Sequence, residues 1–126
     1  MGTSPSGSTL LVLDDDADVR RIVTLALARD GHRILQAADV PHALELLGHE
    51  VPDLLIVDLM LPHVDGEDFL REMARRLPRR PPVLLLTASA SRKEVARRLG
   101  VEASLEKPFD LDELRALTRY LLASSG

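Results

Sequence analysis

Five short runs of almost unbroken apolar residues recur along the chain, and longer amphipathic stretches separate them. The runs occupy residues 9–13 (TLLVL), 33–36 (RILQ), 53–57 (DLLIV), 83–86 (VLLL) and 103–105 (ASL). Runs this short do not make independent helices, and a run apolar at nearly every position has no face to offer water. Strands of a parallel sheet covered on both sides meet that description, with RILQ and ASL, half polar, fitting it least well. The intervening stretches carry helical spacing instead. Val19, Ile22, Val23 and Ala26 follow the i, i+3, i+4, i+7 rule, as do Leu111, Leu114 and Leu121 with Leu117 close to the same stripe. Ala43, Leu44 and Leu47 mark a second helix, Phe69, Leu70 and Met73 a third, and Val95 with Leu99 a short, polar fourth.

Local signals place the helix ends. Ser91 followed by Glu94, and Asp110 followed by Glu113, have capping-box spacing, and Phe109 with Leu114 could form a hydrophobic staple. Asp16 is well placed to cap the first helix, and Gly31 and Gly100 fall where helices should stop. The sum is a strand–helix unit repeated five times. It predicts an α/β fold, (βα)5, with a doubly wound parallel five-stranded sheet and right-handed crossovers. Residues 1–8 (MGTSPSGS) are small and polar and read as a disordered lead-in, leaving residues 9–124 as the folded domain.

Composition bounds the function classes. A chain of 126 residues has room for one domain. Aromatics make up 2%, so the core must be built from Leu, Val, Ile and Ala. A net charge of −4, with no aromatic residues interleaved among the arginines, argues against direct nucleic-acid binding. No apolar run is long enough for membrane insertion, and the N-terminus lacks a signal-peptide core. The absence of cysteine removes disulfides, thiol nucleophiles and Cys-based zinc sites, and it suits a cytoplasmic protein. No Gly-rich phosphate loop is present, and the four histidines lack ligand spacing.

In open parallel sheets, ligands bind beyond the carboxyl ends of the strands. Asp14, Asp15 and Asp16 follow the first predicted strand, Asp58 the third, Thr87 the fourth, and Lys107 comes shortly after the fifth. Carboxylates gathered at one edge repel one another unless a cation intervenes, and hard oxygen ligands of this kind favour Mg2+. The lysine adds a second positive charge beside any phosphoryl group held there. A carboxylate can itself act as nucleophile and form an acyl phosphate.

Four segments carry a resemblance: LLVLDDDADVR (residues 10–20), DLLIVDLMLPHVDG (53–66), VLLLTA (83–88) and LEKPF (105–109). In this order, each at a predicted strand, they make the chain resemble the receiver domain of two-component response regulators, of the chemotaxis-regulator-like single-domain kind. The resemblance implies a flavodoxin-like receiver fold and a signalling switch, not a turnover enzyme, whose own catalysis is limited to phosphotransfer and slow dephosphorylation. By resemblance, Asp58 is the phosphoacceptor served by a sensor histidine kinase or phosphotransfer protein. Asp14 and Asp15 hold Mg2+ together with Asp58, and Met60 completes the metal shell through its backbone carbonyl. Thr87 bonds the phosphoryl oxygen, Lys107 pairs with the phosphate, and the Lys107–Pro108 bond is expected to be cis. A downstream protein effector is expected on the face made by the fourth helix, fifth strand and fifth helix, and a phosphorylation-dependent homodimer is open on the same grounds.

One position departs from the pattern. Receivers usually carry Tyr or Phe three residues before the lysine, and Ser104 stands there. A serine has no ring to bury or expose, so transmission from Thr87 to the output face is expected to be weaker or different. Two other readings use parts of the same pattern. One is a receiver-like docking module that signals without phosphorylation. The other is a haloacid-dehalogenase-type Mg2+ phosphatase, for which the D-x-D spacing is present but the following Gly-Thr or Gly-Val is absent. The chain is read either as a stand-alone regulator or as a receiver taken from a longer protein.

Overall fold

The computed structural model describes residues 7–58, 66–88 and 92–124. Met60, Ser91 and the first six residues of the lead-in lie outside these. Ten elements alternate along the chain: β1 Thr9–Leu13, α1 Ala17–Ala28, β2 Arg33–Ala37, α2 Val40–His49, β3 Leu54–Asp58, α3 Gly66–Arg76, β4 Val83–Thr87, α4 Arg92–Leu99, β5 Ala103–Glu106 and α5 Leu111–Ser124. The strands form one sheet in the order β2-β1-β3-β4-β5, and every neighbouring pair is parallel.

Alternation along each strand divides the core into two layers. Leu10, Val12, Leu54, Ile56, Leu84 and Leu86 face Val23 and Leu27 of α1 and Leu114 and Leu121 of α5. Leu11, Leu13, Leu55, Val57 and Val83 face α2 and α3, where Ala43, Leu47, Phe69 and Met73 are buried. The two half-polar runs are the two edge strands, β2 and β5. An edge strand has a neighbour on one side only, so part of its length stays wet and polar side chains cost little there.

The strands differ from their predicted bounds in a consistent way. All but β1 extend one residue further at the carboxyl end, so Asp58 and Thr87 are the last strand residues and do not follow their strands. Asp53 precedes β3, and its carboxylate accepts the Thr9 amide at 2.8 Å, tying the starts of two strands together. At the lead-in, the Gly7 amide donates to the Gly31 carbonyl and the Ser8 carbonyl accepts from the Arg33 amide, so backbone bonding begins two residues before β1.

Helix ends follow their caps. Asp16 accepts the amides of Asp18 and Val19, and Asp39 accepts that of His42. The Asp110 carboxylate accepts the Asp112 amide, with Phe109 and Leu114 packed in the same cluster. Gly31 and Gly100 have φ of 90° and 71°, a backbone region that a side chain would strain. One assignment on α1 shifts. Ile22 is 47% exposed and Leu27 is fully buried in its place, because the stripe centres on Val23 and Leu27 and leaves Ile22 at its margin. Beyond α1, Asp30 takes a bidentate pair of bonds from Arg115 of α5 at 3.0 and 2.6 Å, clasping the two helices of that layer.

His32 follows this turn and is 8% exposed, and its Nδ1 has no hydrogen-bond partner among the described residues. Burial holds its imidazole below the ordinary histidine range against the opposing charges of Asp30 and Asp53. The unfolded chain therefore takes up a proton that the folded one resists, and stability falls as pH drops through the ordinary histidine value of about 6.5. Urea midpoints at pH 7 and pH 5 are expected to show a larger loss in the wild type than in His32→Gln; equal losses would remove His32 from this account.

Candidate functional site

The carboxyl ends of β1, β3, β4 and β5 deliver the predicted residues to one edge. Asp14 follows β1 with its side chain wholly buried, and Asp58 ends β3 at 4% exposure, while Asp15 beside them is exposed. One oxygen from each of the three carboxylates lies within 4.8 Å of the others. Lys107, one residue past β5, reaches between two of them: its Nζ donates to Asp14 Oδ2 at 3.0 Å and to Asp58 Oδ2 at 3.2 Å. Thr87 is fully buried at the end of β4, and its carbonyl accepts the Lys107 amide at 2.7 Å. The Lys107–Pro108 peptide is cis, as expected. Asp16 stays out of the cluster and caps α1.

A residue overlooked in the sequence holds this edge in shape. Arg20, in the second turn of α1, donates from Nη1 to the Asp14 carbonyl at 2.7 Å. Meanwhile the Asp14 carboxylate accepts the Asp16 amide at 2.9 Å, and the Asp16 carbonyl accepts the Arg20 amide at 3.0 Å. The loop is thus closed on itself between β1 and α1. The available signal was the spacing: an arginine four residues after a helix cap can fold back over the preceding loop.

The electrostatics of the cluster are unbalanced. Burial pushes the Asp14 carboxyl above its usual range. The Asp16 amide and Lys107 pull it down, and the charge of Asp58 adds to the rise. For Lys107, burial alone would lower the ammonium, but the bonds and charges of Asp14 and Asp58 outweigh it and hold the group above the usual lysine range. The two directions have one explanation. Lys107 is attracted by two carboxylates, whereas Asp14 must share a single ammonium with a like-charged neighbour. Lys107 bonds two of the three carboxylates, and a cluster of this sign suits a divalent cation. Three clustered carboxylate oxygens are also hard ligands of the kind such a cation takes.

The opposite edge of the sheet holds an open cavity of about 550 Å3 lined in part by Asp53, Arg80, Pro82 and Glu102. Its acidic groups are already used structurally. Asp53 takes the Thr9 amide, and Glu102 takes the Val83 amide at 2.8 Å.

Residues 10–119 match the response regulator receiver domain family. The chain belongs to that family. Response regulator MprA of Mycobacterium ulcerans (strain Agy99) is 37% identical over 115 residues, covering 90% of this chain and 49% of the relative. The chain therefore spans about half the length of the curated relatives it matches. The structure of the Francisella response regulator 1452 receiver domain superposes with a TM-score of 0.85 at 27% identity, covering 95% of this chain and all of that one. Chemotaxis response regulator CheY4 of Vibrio cholerae is similar with a TM-score of 0.82 at 25% identity, covering 92% and 99% of the two chains. This chain is accordingly a receiver domain of two-component response regulators, and its three-aspartate cluster lies where receivers are phosphorylated. No helix among the described residues is long and apolar enough to cross a membrane.

The charge imbalance predicts opposite effects from two substitutions. In metal-free buffer, Asp58→Asn removes one repelling charge and is expected to stabilise the receiver by roughly 1 kcal/mol, a rise of a few degrees in melting temperature. Lys107→Met leaves buried carboxylates without their cation and is expected to cost roughly 1–3 kcal/mol. Thermal unfolding followed by circular dichroism checks both signs.

Proposed function

We propose that this receiver accepts a phosphoryl group onto Asp58 from a sensor histidine kinase or a phosphotransfer protein. The observation that carries the proposal is the Lys107 ammonium bridging Asp14 and Asp58 across the sheet edge. In the transfer, an Asp58 carboxylate oxygen bonds to phosphorus as the bond from phosphorus to the donor imidazole nitrogen breaks, leaving an acyl phosphate and a free histidine. Lys107, held within reach of Asp58, pairs with the charge arriving on the phosphoryl oxygens. Thr87, at the end of the neighbouring strand, offers a hydroxyl to one of them. Asp14, Asp15 and Asp58 would hold Mg2+, with the Met60 backbone carbonyl completing the set by family resemblance. When bound, the ion would supply positive charge to the cluster and stabilise the negative charge of the transferring group. Arg20 keeps Asp14 and Asp15 at the metal-holding position by tying their loop to α1.

Output is proposed to run to a protein effector through the α4–β5–α5 face. Ser104 lies in β5, half-buried and in register with Leu85, where most receivers carry an aromatic side chain. Tyr120 of α5, the single tyrosine of the chain, is 67% exposed. An aromatic side chain available on α5 independently of any ring swing suits a face whose strand position is a serine.

Intact-mass spectrometry after incubation with acetyl phosphate tests the acceptor. A gain of one phosphoryl group that requires Mg2+ and disappears in Asp58→Asn is expected; a gain retained in Asp58→Asn would move the acceptor elsewhere. In Arg20→Ala, the Mg2+ concentration giving half-maximal labelling is expected to rise by about threefold to tenfold, with the maximal level little changed. Calorimetric titration of the unphosphorylated variant with Mg2+ should show the same loss of affinity.

A further inference from the structure

Helix α1 carries more apolar surface than the core uses. Among the described residues five large hydrophobic side chains are exposed, and three of them, Ile22, Leu25 (59%) and Leu111 (38%), line one groove of about 370 Å3 between α1 and α5. Exposure gathered in one place marks a contact surface, where scattered single residues would not. The groove is already shaped, because the bidentate bonds from Arg115 to Asp30 hold the two helices together.

The charges along α1 identify what covers it. Asp18, Ile22, Leu25 and Arg29 stand four, three and four residues apart, which is the spacing of a helix-pairing seam. The structure keeps them on one side of the helix: Ile22, Leu25 and Arg29 line the groove against α5, and Leu25 lines a neighbouring groove with Asp18. Arg29 caps α1 with helical φ and ψ, so the seam runs through it. Asp18 and Arg29 are exposed, and neither side chain makes an ion pair among the described residues. The helix dipole favours an acid at the start and a base at the finish. That preference does not account for two aliphatic side chains left in water between them.

Along the helix the seam runs acid, apolar, apolar, base. Turned end for end it is its own complement, since positions 18 and 29, like 22 and 25, lie equally far from its midpoint. We propose that the chain pairs with a second copy of itself through antiparallel packing of α1 on α1, with Leu111 of α5 widening the apolar contact. A two-fold axis then sets Asp18 against Arg29 twice and Ile22 against Leu25 twice, as an isologous interface requires. An unrelated partner would have to supply this order of groups, whereas the chain already carries it. A seam of about three helical turns is short beside the roughly 20–30 residues a side of a standard interface, so the pairing depends on concentration. It uses a different face from the α4–β5–α5 surface, needs no phosphoryl group and does not rest on the proposed phosphotransfer.

Sedimentation equilibrium of the whole, unphosphorylated chain from about 10 μM to about 1 mM tests the pairing, and the average mass is expected to rise from monomer towards dimer. Leu25→Ser, which alters a side chain the core does not need, should weaken the dimer by about tenfold or more. Asp18→Arg alone and Arg29→Asp alone each set like charges against one another and should weaken it several-fold. An equimolar mixture of those two variants restores both opposite-charge pairs. It should associate more tightly than either variant by itself, by a margin that shrinks at about 0.5 M salt. Circular dichroism and melting temperature check that each variant is folded, and Leu25→Ser decides the matter if a charge reversal unfolds α1. Three results would overturn the proposal: a chain monomeric up to about 1 mM, which would leave the face to a different protein, a dimer indifferent to Leu25→Ser, or a mixture no more associated than its components.

Discussion

Three carboxylates crowd one edge of this sheet, and the Lys107 ammonium answers the repulsion between two of them. Lys107 stands between Asp14 and Asp58, bonding both, and its neighbours hold it there: Thr87 receives its amide, and β5 positions it by pairing with β4. Asp14, wholly buried, has no route to relief through solvent, and burial together with the charge of Asp58 holds its carboxyl above the usual range despite the Lys107 bond.

That edge depends on the rest of the fold for its precision. The carboxylates come from strands at the centre of the sheet, whose residues are buried on both faces by two leucine- and valine-rich layers. Close-packed layers leave β1 and β3 little freedom to slide, so Asp14 and Asp58 are presented at fixed separation. The β1–α1 loop, the part with most freedom, is closed by Asp16 capping α1 and by Arg20 reaching back to the Asp14 carbonyl. The opposite edge is tied separately by Asp53 and Glu102, each accepting a backbone amide at the start of a strand. Acidic side chains thus accept backbone amides at the amino-terminal edge and gather into a cluster bridged by Lys107 at the carboxyl-terminal one.

Much of this was legible in the sequence. Apolar runs bounded by helical spacing implied five parallel strands and five helices, because double-sided burial leaves no alternation to hide them. The four motifs brought Asp14, Asp15, Asp58, Thr87 and Lys107 to one edge, because residues at the carboxyl ends of parallel strands share that edge whatever the loops do. What escaped was side-chain reach. Arg20 looked like any charged helix residue, since its role depends on a guanidinium folding back over a loop. Ile22 was placed on the buried stripe, since periodicity locates a stripe's direction more sharply than its margins.

The sequence by itself determined the fold class, the order of chemistry along the chain and the identity of the acidic cluster, because these follow from periodicity and from residue types at strand ends. Tertiary structure alone decided the distances. It put Lys107 between Asp14 and Asp58 and left Asp15 exposed beside them. The reason is that Coulomb energies and desolvation depend on separation and burial through space, and residues 93 positions apart, such as Asp14 and Lys107, acquire both only when the sheet closes.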